Sequence, residues 1–420
     1  MLRALRILPL IAMLAAAQDP AGTARKALDA LLGEHYPEFL QMATPDVKKD
    51  LPVEALTRIG AQIKTYGAVE KIGDAAANRV GPNTTVTIAV NFASQNINFR
   101  FLINSGGQVA AFVQLPGEVT WQRPEYSKPD SFTERAVTVG DTQWKLPGTF
   151  TAPKGAGPFP AVVLVHGVGP NDRDETVGGT RMFKDLAEGL ASQGIAVLRY
   201  EKRQRQYGAR VAAMPTFTLH EETVEDAVKA AALARTQPGV DGKKVFILGH
   251  DLGGYAAPRI AAEDSALAGL ILMAANARHL EDLVVDQVVA VGGTAKALEN
   301  AKALQAKVKS LEPGDESSPA VMGNAVHYWL DLKDYDPVGD AAKIGMPVLV
   351  LQGERDYQVG MKDFELWKTG LAKKGVVAKS YPALNHLFVA GTGKSTQAEY
   401  AKPGHVAAEV IADIIGFVKR

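Results

Sequence analysis

Three residues that could carry catalytic chemistry follow three apolar segments of this 420-residue sequence. Asp251 is the centre of Gly249–Gly253, which has the pattern Gly-x-nucleophile-x-Gly and follows the apolar run Val245–Leu248. Flanking glycines let the backbone approach itself closely, so that the central side chain is held in a sharp, exposed turn. Asp356 and His386 come later in the chain. A nucleophile, an acid and a histidine in this order are typical of a triad for nucleophilic catalysis.

The elements around these residues alternate between strand and helix patterns. Strands are predicted at Phe132–Val139, Trp144–Ala152, Ala161–Val165, Ile195–Arg199, Val245–Leu248, Gly269–Ala274, Pro347–Leu351 and Val376–Tyr381. Helices are predicted at Phe183–Gln193, Leu219–Thr236, Tyr255–Glu263, Met361–Lys373 and Val406–Val418. This alternation predicts an α/β fold with a mostly parallel sheet covered on both faces. Together with the chain order of the triad, it indicates an α/β-hydrolase fold.

A triad of this kind needs donors for the negative charge that develops on the substrate. The N–H of Leu252, the residue after the nucleophile, is one predicted donor, and the N–H of Val168 is the other. Val168 is placed in the loop after the strand Ala161–Val165. Acid–histidine pairing is expected between Asp356 and His386.

Residues 276–340 interrupt the alternation with two amphipathic stretches and no strand pattern. An insertion at this point would lie over the carboxyl ends of the strands, so we interpret it as a lid. Tyr328, Trp329 and Tyr335 in its second half are candidates to line a substrate pocket or to form the core of the lid.

Cations near the predicted site are candidates to hold a substrate carboxylate. Lys202 and Arg203 follow a strand, and Arg173 lies in the loop after Ala161–Val165. A solvated loop is the alternative interpretation for all three. His166 and His250 adjoin the site loops and are expected to be structural. The other histidines show no metal-ligand spacing, so neither a metal nor another cofactor is expected.

The N-terminus has the pattern of a secretory signal peptide over residues 1–17. Arg3 and Arg6 precede the apolar run Ile7–Leu14, and the small residues Ala15–Ala17 follow it. We therefore expect a secreted or periplasmic protein, without a membrane association once the signal is removed. No other stretch of the sequence is long and apolar enough for a membrane-spanning helix.

Three further segments are expected after the signal. Residues 20–115 combine helical spacing with alternating strand patterns and predict a small α+β domain. Residues 116–131 contain Pro116, Gly117, Pro124 and Pro129 and are expected to be a linker. Residues 132–420 form the predicted catalytic domain.

Composition restricts the partners of the protein. The formal net charge is +0 and the sequence contains no cysteine. A neutral chain gives no indication of a nucleic-acid partner, and the absence of cysteine excludes disulfides and thiolate chemistry. A small-molecule substrate is expected, and the oligomeric state is left open.

Residues from about 130 to the end resemble a bacterial family of α/β-hydrolases related to dienelactone hydrolases and to acyl-CoA thioesterases. The matching segments are Gly167–Glu175, Val197–Arg203, Gly249–Ile260, Leu351–Val359 and Leu384–Phe388. Residues 20–115 resemble the small cone-shaped α+β domain often fused to that family. The resemblance implies a secreted serine hydrolase acting on ester or thioester bonds, with Asp356 and His386 as acid and base.

The nucleophile position departs from that family, whose turn carries serine where this chain has Asp251. A carboxylate that attacks an ester carbonyl forms an adduct that mostly expels the carboxylate again. The same carboxylate is a productive nucleophile towards a saturated carbon. The turn resembles those of epoxide hydrolases and dehalogenases, but Leu252 stands where the latter have a halide-binding tryptophan. Tyr328 and Tyr335 are the candidates for the paired lid tyrosines of epoxide hydrolases.

Three hypotheses follow from the sequence. The family resemblance favours an ester or thioester hydrolase with Asp251 at the nucleophile position. The chemistry of a carboxylate nucleophile favours an epoxide hydrolase or a dehalogenase. The third hypothesis is a hydrolase-fold binding protein in which Asp251 has impaired catalysis.

Overall fold

The computed structural model describes residues 19–92, 95–117, 121–372 and 376–420. The chain divides into two compact units, Met1–Thr120 and Trp121–Arg420, and each is described by itself. The predicted signal peptide lies outside the described residues and stays a prediction. No helix within the described ranges is long and apolar enough to cross a membrane.

Helices precede an antiparallel sheet in the first unit. The helices are α1 (Pro20–Leu32), α2 (Tyr36–Met42), α3 (Pro45–Asp50) and α4 (Val53–Lys64). The strands are β1 (Val69–Val80), β2 (Asn83–Phe92), β3 (Asn96–Ile103) and β4 (Val109–Pro116), which pair in chain order. Every second residue from Val86 to Phe92 is buried, because successive side chains of a strand point to opposite faces. Strand β1 is largely exposed and was not predicted, since its sequence has no alternating apolar pattern.

An eight-stranded sheet organises the second unit. Its strands are β5 (Phe132–Val139), β6 (Leu146–Pro153), β7 (Phe159–Val165), β10 (Ala196–Tyr200), β11 (Val240–His250), β12 (Gly269–Met273), β13 (Val348–Gly353) and β14 (Val377–Tyr381), and a separate hairpin comprises β8 (Thr176–Val177) and β9 (Thr180–Arg181). The spatial order is β14-β13-β12-β11-β7-β10-β6-β5, with parallel pairing from β14 to β10 and antiparallel pairing at β6 and β5. The sheet therefore has the mostly parallel character that the sequence predicts.

Helices supply both faces of this sheet with apolar side chains. They are α5 (Met182–Ala191), α6 (Arg203–Ala212), α7 (Glu225–Arg235), α8 (Leu252–Glu263), α9 (Leu280–Ala290), α10 (Ala295–Lys309), α11 (Val326–Leu332), α12 (Pro337–Lys343), α13 (Met361–Gly370) and α14 (Ala408–Val418). Separate apolar clusters form on the two sides, so alternate residues of β7 and β11 belong to different clusters. Burial on both sides explains why Ala161–Val165 is a continuous apolar run.

The segment that we expected to be a linker, 116–131, is partly bound to the second unit. Trp121 donates a hydrogen bond from Nε1 to Asp185 at 2.8 Å. Arg123 forms an ion pair with the buried Glu188 at 2.6 Å. The second half of this segment is therefore fixed to the hydrolase unit, and the prediction of a linker throughout is wrong.

The insertion between β12 and β13 consists of α9, α10, α11 and α12 and contains no strand longer than a single bridge within the described residues. The helices α9 and α10 correspond to the two amphipathic stretches of the sequence. Apolar residues of α9 line a cavity that reaches Asp251. The insertion thus covers the region where the predicted site residues lie.

Candidate active site

Asp251 lies at the sharp turn between β11 and α8, with φ 50° and ψ −116°. A positive φ is strained for a residue other than glycine and is maintained only by its surroundings. The Asp251 N–H is held by the Met273 carbonyl at 3.0 Å. A Cβ atom added to Gly249 would lie 2.3 Å from the Gly253 backbone, and one added to Gly253 would lie 2.2 Å from the Val165 oxygen. The two glycines are therefore required by close backbone approach.

The Asp251 side chain contacts the loop that follows β7. The Val168 N–H donates a hydrogen bond to Asp251 Oδ2 at 3.0 Å. A Cβ atom added to Gly167 would lie 2.8 Å from the same oxygen. Leu252 is the first residue of α8, and N–H groups of a first helical turn have no acceptor within the helix. The structure thus brings Val168 and Asp251 together, and an Asp251 carboxylate oxygen occupies the Val168 N–H. The role of the Leu252 N–H as the second donor stays a prediction.

Asp356 and His386 form a pair, with 2.7 Å between Asp356 Oδ2 and His386 Nδ1. Gln352 donates to Asp356 Oδ2 at 3.1 Å, and the N–H groups of Gln358 and Val359 donate to Oδ1 at 2.7 and 3.0 Å. Three donors therefore fix the carboxylate that orients the imidazole. His386 Nε2 makes no hydrogen bond within the described part of the chain.

Two cavities meet at Asp251. The polar cavity has a volume of about 480 Å³ and is lined by residues that include Glu175, His250, Asp251, Tyr357, Gln358, His386 and Tyr400. The lid cavity has a volume of about 370 Å³ and is lined by residues that include Leu280, Leu283, Val284, Met322, Tyr328, Trp329 and Asp251. Val168 and Gln358 also line both cavities. A substrate bound across Asp251 can therefore place one part in each cavity.

Two of the three lid aromatics line the lid cavity. Tyr328 and Trp329 are buried there, and Trp329 Nε1 donates to the Val321 carbonyl at 2.9 Å. Tyr335 instead donates its hydroxyl to the Tyr255 carbonyl at 2.8 Å and lines neither cavity. The pair of lid tyrosines that an epoxide hydrolase would need is therefore not brought together at Asp251.

Lys202 and Arg203 do not face either cavity, so the prediction that they bind a substrate carboxylate is wrong. The buried Lys202 ammonium binds the Gly167 carbonyl at 2.7 Å and Glu222 at 2.8 Å. The buried Arg203 guanidinium binds Asp226 through Nε at 2.9 Å and through Nη2 at 2.5 Å. Both cations are neutralised by carboxylates, because an unpaired charge in the interior would be very unfavourable. The alternative of a solvated loop is wrong for the same two residues.

Arg173 also has a structural partner. Its Nε lies 2.8 Å from Glu201, and its Nη1 donates to the Thr149 hydroxyl at 3.1 Å. It lines neither cavity. The guanidinium ties the loop after β7 to the antiparallel part of the sheet, which corrects the prediction that it contacts substrate.

A buried ion pair in the wall of the cavity that His386 and Asp251 line was not predicted from the sequence. Glu175 Oε1 lies 3.2 Å from His250 Nδ1 and accepts the Gly167 N–H at 2.7 Å. His250 Nε2 lies 3.1 Å from the His386 carbonyl oxygen. Burial alone would lower the pKa of His250, but the Glu175 carboxylate, together with Asp251, raises it to about 9. His250 is adjacent to the nucleophile position in the sequence, but nothing in the sequence indicated its pairing with Glu175.

The pKa of His166 is shifted in the opposite direction from that of His250. Burial lowers its pKa to about 4, and its ring packs against Phe183 and Tyr200. Its Nε2 lies 3.0 Å from the Asp172 carbonyl oxygen. Within the described residues no group of three or more His, Asp or Glu side chains is arranged to hold a metal ion.

A turn of this type after a central parallel strand, an acid–histidine pair and a backbone donor facing the turn together define a hydrolase site. Residues 162–398 match the sequence model of the alpha/beta hydrolase family, and the chain belongs to this family. It is 37% identical over 396 residues to Esterase EstD of Thermotoga maritima, with 91% of this chain and 92% of that protein covered. The protein is therefore a hydrolase, and the predicted fold class and family resemblance are confirmed.

Solved structures of lower identity are also similar. Est1E from Butyrivibrio proteoclasticus is 16% identical, with a TM-score of 0.45, and 68% of this chain and 98% of that chain are covered. The esterase from Pyrobaculum calidifontis is 20% identical, with a TM-score of 0.45, and 68% of this chain and 85% of that chain are covered.

Proposed function

We propose that this hydrolase cleaves carboxylic ester or thioester bonds of small substrates at the junction of the two cavities. The observation that carries the proposal is that His386, which is paired with Asp356, lines the same cavity as Asp251, which accepts the Val168 N–H. The relative named as an esterase, which is 37% identical over nearly the whole chain, supports the same reaction class. The lid cavity, whose lining includes Leu280, Leu283 and Val284, suits the acyl part, and the cavity lined by His386 suits the alcohol or thiol part.

The attacking group is inferred to be water when the substrate is an ester. An adduct of Asp251 with the ester carbonyl carbon would expel the carboxylate, which is the better leaving group, and would revert. Once the attacking water has lost its proton, the attached hydroxyl is no better a leaving group than the alkoxide, so the adduct can break down to products. His386 Nε2 takes the proton of that water and returns it to the departing alcohol oxygen. The reaction is expected to be slow, because Asp251 Oδ2 already occupies the Val168 N–H.

The test uses the protein without residues 1–17 and a short-chain aryl ester. The variants are Asp251→Ser, Asp251→Ala and His386→Ala. We expect Asp251→Ser to exceed the parent by at least roughly 10²-fold, because it combines a nucleophile with a vacated oxyanion position. The parent is expected to lose its remaining activity in His386→Ala. Equal rates for the parent and His386→Ala, with no gain in Asp251→Ser, would contradict ester hydrolysis at this site.

A second candidate function is favoured by the contact between Asp251 Oδ2 and the Val168 N–H. With one oxygen held by a backbone donor, the other oxygen is left to attack a saturated carbon. The new C–O bond forms as the bond to a halide breaks and the halide leaves as an anion, or as the bond to an epoxide oxygen breaks and that oxygen takes a proton from water. An alkyl ester of Asp251 results in either case. Water, deprotonated by His386, then attacks the Asp251 carboxyl carbon and expels the alcohol, while the Val168 N–H stabilises the oxyanion.

Mass spectrometry distinguishes the second candidate from the first. With epoxide or haloalkanoate substrates, a His386→Gln variant should accumulate a covalent adduct on Asp251, since the ester can form but its hydrolysis is blocked. The parent in ¹⁸O-labelled water should incorporate the label into the Asp251 carboxylate. Absence of both signals excludes the alkyl-ester route. Binding of ester and epoxide analogues without any turnover would support the binding-protein hypothesis instead.

A further inference from the structure

We propose that Glu175 and His250 are positioning residues of this site, which hold the Val168 N–H and the His386 loop in register with the side chain at position 251. The inference deepens the proposed function, because it assigns the placement of the oxyanion donor to two side chains outside the triad. Neither residue is required to touch the substrate carbonyl.

The contacts of the pair connect three separate segments. Glu175 comes from the segment between β7 and β8 and binds the N–H of Gly167, the residue before Val168. His250 is the last residue of β11 and precedes Asp251 directly. Its Nε2 faces the His386 carbonyl oxygen at 3.1 Å, and the two imidazole rings lie 4.5 Å apart. One ion pair therefore reaches the oxyanion loop, the nucleophile turn and the histidine loop.

The direction of these contacts determines what the pair can position. Glu175 binds the Gly167 N–H, which belongs to the peptide before Gly167–Val168. The Gly167 carbonyl accepts from the Lys202 ammonium at 2.7 Å and from Asn171 Nδ2 at 3.1 Å. With the Gly167 N–H and carbonyl both bound, the Val168 N–H has one remaining direction, which is towards Asp251 Oδ2 at 3.0 Å. We expect removal of the Glu175 contact to loosen the N-terminal side of this loop, while the Lys202 and Asn171 contacts with the Gly167 carbonyl remain.

The charges around the pair determine the protonation state of His250. The Glu175 and Asp251 side chains both raise the pKa of His250, the His386 ring lies 4.5 Å from the His250 ring, and His166 also interacts with Glu175. The balance raises the pKa of His250, so its imidazole is positively charged at neutral pH.

The test measures position and charge without relying on activity. The sequence contains three Gly–Val steps, at 167–168, 239–240 and 375–376, so protein labelled with ¹³C-carbonyl glycine and ¹⁵N-valine gives three amide signals. Loss of a signal in Val168→Ala assigns the Val168 amide. Its proton is expected at low field in the parent, because it is bonded to a carboxylate, and to move upfield in Asp251→Ala. The proposal predicts the same upfield movement in Glu175→Gln.

Histidine labelling measures the charge, since the chain contains only 8 histidines and His250→Gln assigns the signal. The His250 imidazole is expected to titrate near pH 9 in the parent and to shift down by about 2 units or more in Glu175→Gln. Glu188→Gln is the matched control, because Glu188 is equally buried and ion-paired but bonds to Arg123 and Ser127. It should leave both signals in place.

The kinetic arm is carried out in the Asp251→Ser background. Glu175→Gln and His250→Gln are each expected to lower kcat for an aryl ester at least tenfold with KM within about twofold, because the donor acts on the transition state. An unmoved Val168 amide in Glu175→Gln overturns the proposal, as does an unchanged kcat in both variants. If Asp251→Ser cleaves no ester, the proposed function fails, and the Val168 amide alone decides the positioning role. A Glu175→Gln protein that does not fold is replaced by His250→Gln, which removes the charge but keeps an amide donor.

Discussion

Val168 and Asp251 are joined by a hydrogen bond of 3.0 Å between a backbone nitrogen and a carboxylate oxygen. The donor is the group that a substrate oxyanion would use, so in the resting protein an anion of the protein itself occupies its place. This contact explains why the same site is compatible with slow ester hydrolysis and with alkylation of Asp251.

The acid of the pair is predicted to be Asp356. Asp356→Asn in the Asp251→Ser background should lower kcat by roughly 10²–10⁴-fold, because His386 Nδ1 loses the carboxylate that orients it and stabilises its charge. Glu354 follows the same strand, but its carboxylate accepts the Ser380 hydroxyl at 2.8 Å. Glu354→Gln is therefore the control and should retain the rate, as measured with an aryl ester under saturating conditions. A larger decrease of kcat in Glu354→Gln than in Asp356→Asn would show that Glu354 is the acid of the pair.

The lid cavity is predicted to select the acyl group. Leu283 is buried on α9 and lines this cavity, so Leu283→Trp should lower kcat/KM for an octanoyl ester at least tenfold more than for an acetyl ester. Val289 lies on the same helix with its side chain 59% exposed, and Val289→Trp should leave the ratio unchanged. The measurement is kcat/KM over a series of acyl lengths. A constant ratio in Leu283→Trp would assign the acyl group to the other cavity.

The nucleophile turn is predicted to be intolerant of a side chain at Gly253. Gly253→Ala places a Cβ atom 2.2 Å from the Val165 carbonyl oxygen, and the backbone must move. We expect a loss of at least about 2 kcal/mol in the free energy of unfolding, measured with urea. Gly416 lies within α14 with nothing within 4 Å of an added Cβ atom. Gly416→Ala should raise the free energy of unfolding by about 0.5–1 kcal/mol, because alanine is the better helix former.

Stability is predicted to be greatest near pH 6.5 if the two buried histidines dominate its pH dependence. The folded pKa of His250, about 9, exceeds its unfolded value of about 6.5, so its contribution is complete below pH 6.5 and is lost as pH rises through 9. The folded pKa of His166, about 4, lies below that unfolded value, so its contribution is complete above pH 6.5 and is lost as pH falls through 4.

His250→Gln separates the two effects. In the parent, the free energy of unfolding should fall by about 3 kcal/mol between pH 6.5 and pH 9.5, and this decrease should be absent from the variant. The decrease at acid pH should remain. Urea unfolding at half-unit pH intervals measures both limbs. An alkaline decline of equal size in the variant would contradict the assignment to His250.

The catalytic unit was accessible from sequence because its signals are local. Ala161–Val165 of β7 and Val245–Leu248 of β11 are buried on both faces and appear as unbroken apolar runs. Gly249 is required by the Gly253 backbone only four residues away, whereas Gly253 is required by Val165, which is distant in the sequence. The contact between Asp356 and His386 follows from the chain order of a known constellation. Strand β1 was missed because its exposed residues leave no alternation to detect.

The roles of the charged residues could not be predicted, because they depend on partners far along the chain. Lys202 and Arg203 look like an exposed basic segment until Glu222 and Asp226 are placed beside them. Their burial follows from tertiary contacts, because lysine and arginine side chains are usually exposed. The pairing of Glu175 with His250 spans 75 positions and has no sequence signature.

The meeting of two cavities at a single side chain has a consequence for how substrate range can change. The wall of the lid cavity is built largely from the insertion between β12 and β13, whereas Tyr357, His386 and Tyr400 of the polar cavity come from segments after β13. The two ends of a substrate would therefore contact different segments of the chain. Substitutions in the insertion can change the part of the substrate that the lid cavity accepts without changing the part that the other cavity accepts. The specificity for the two parts of a substrate can therefore evolve separately.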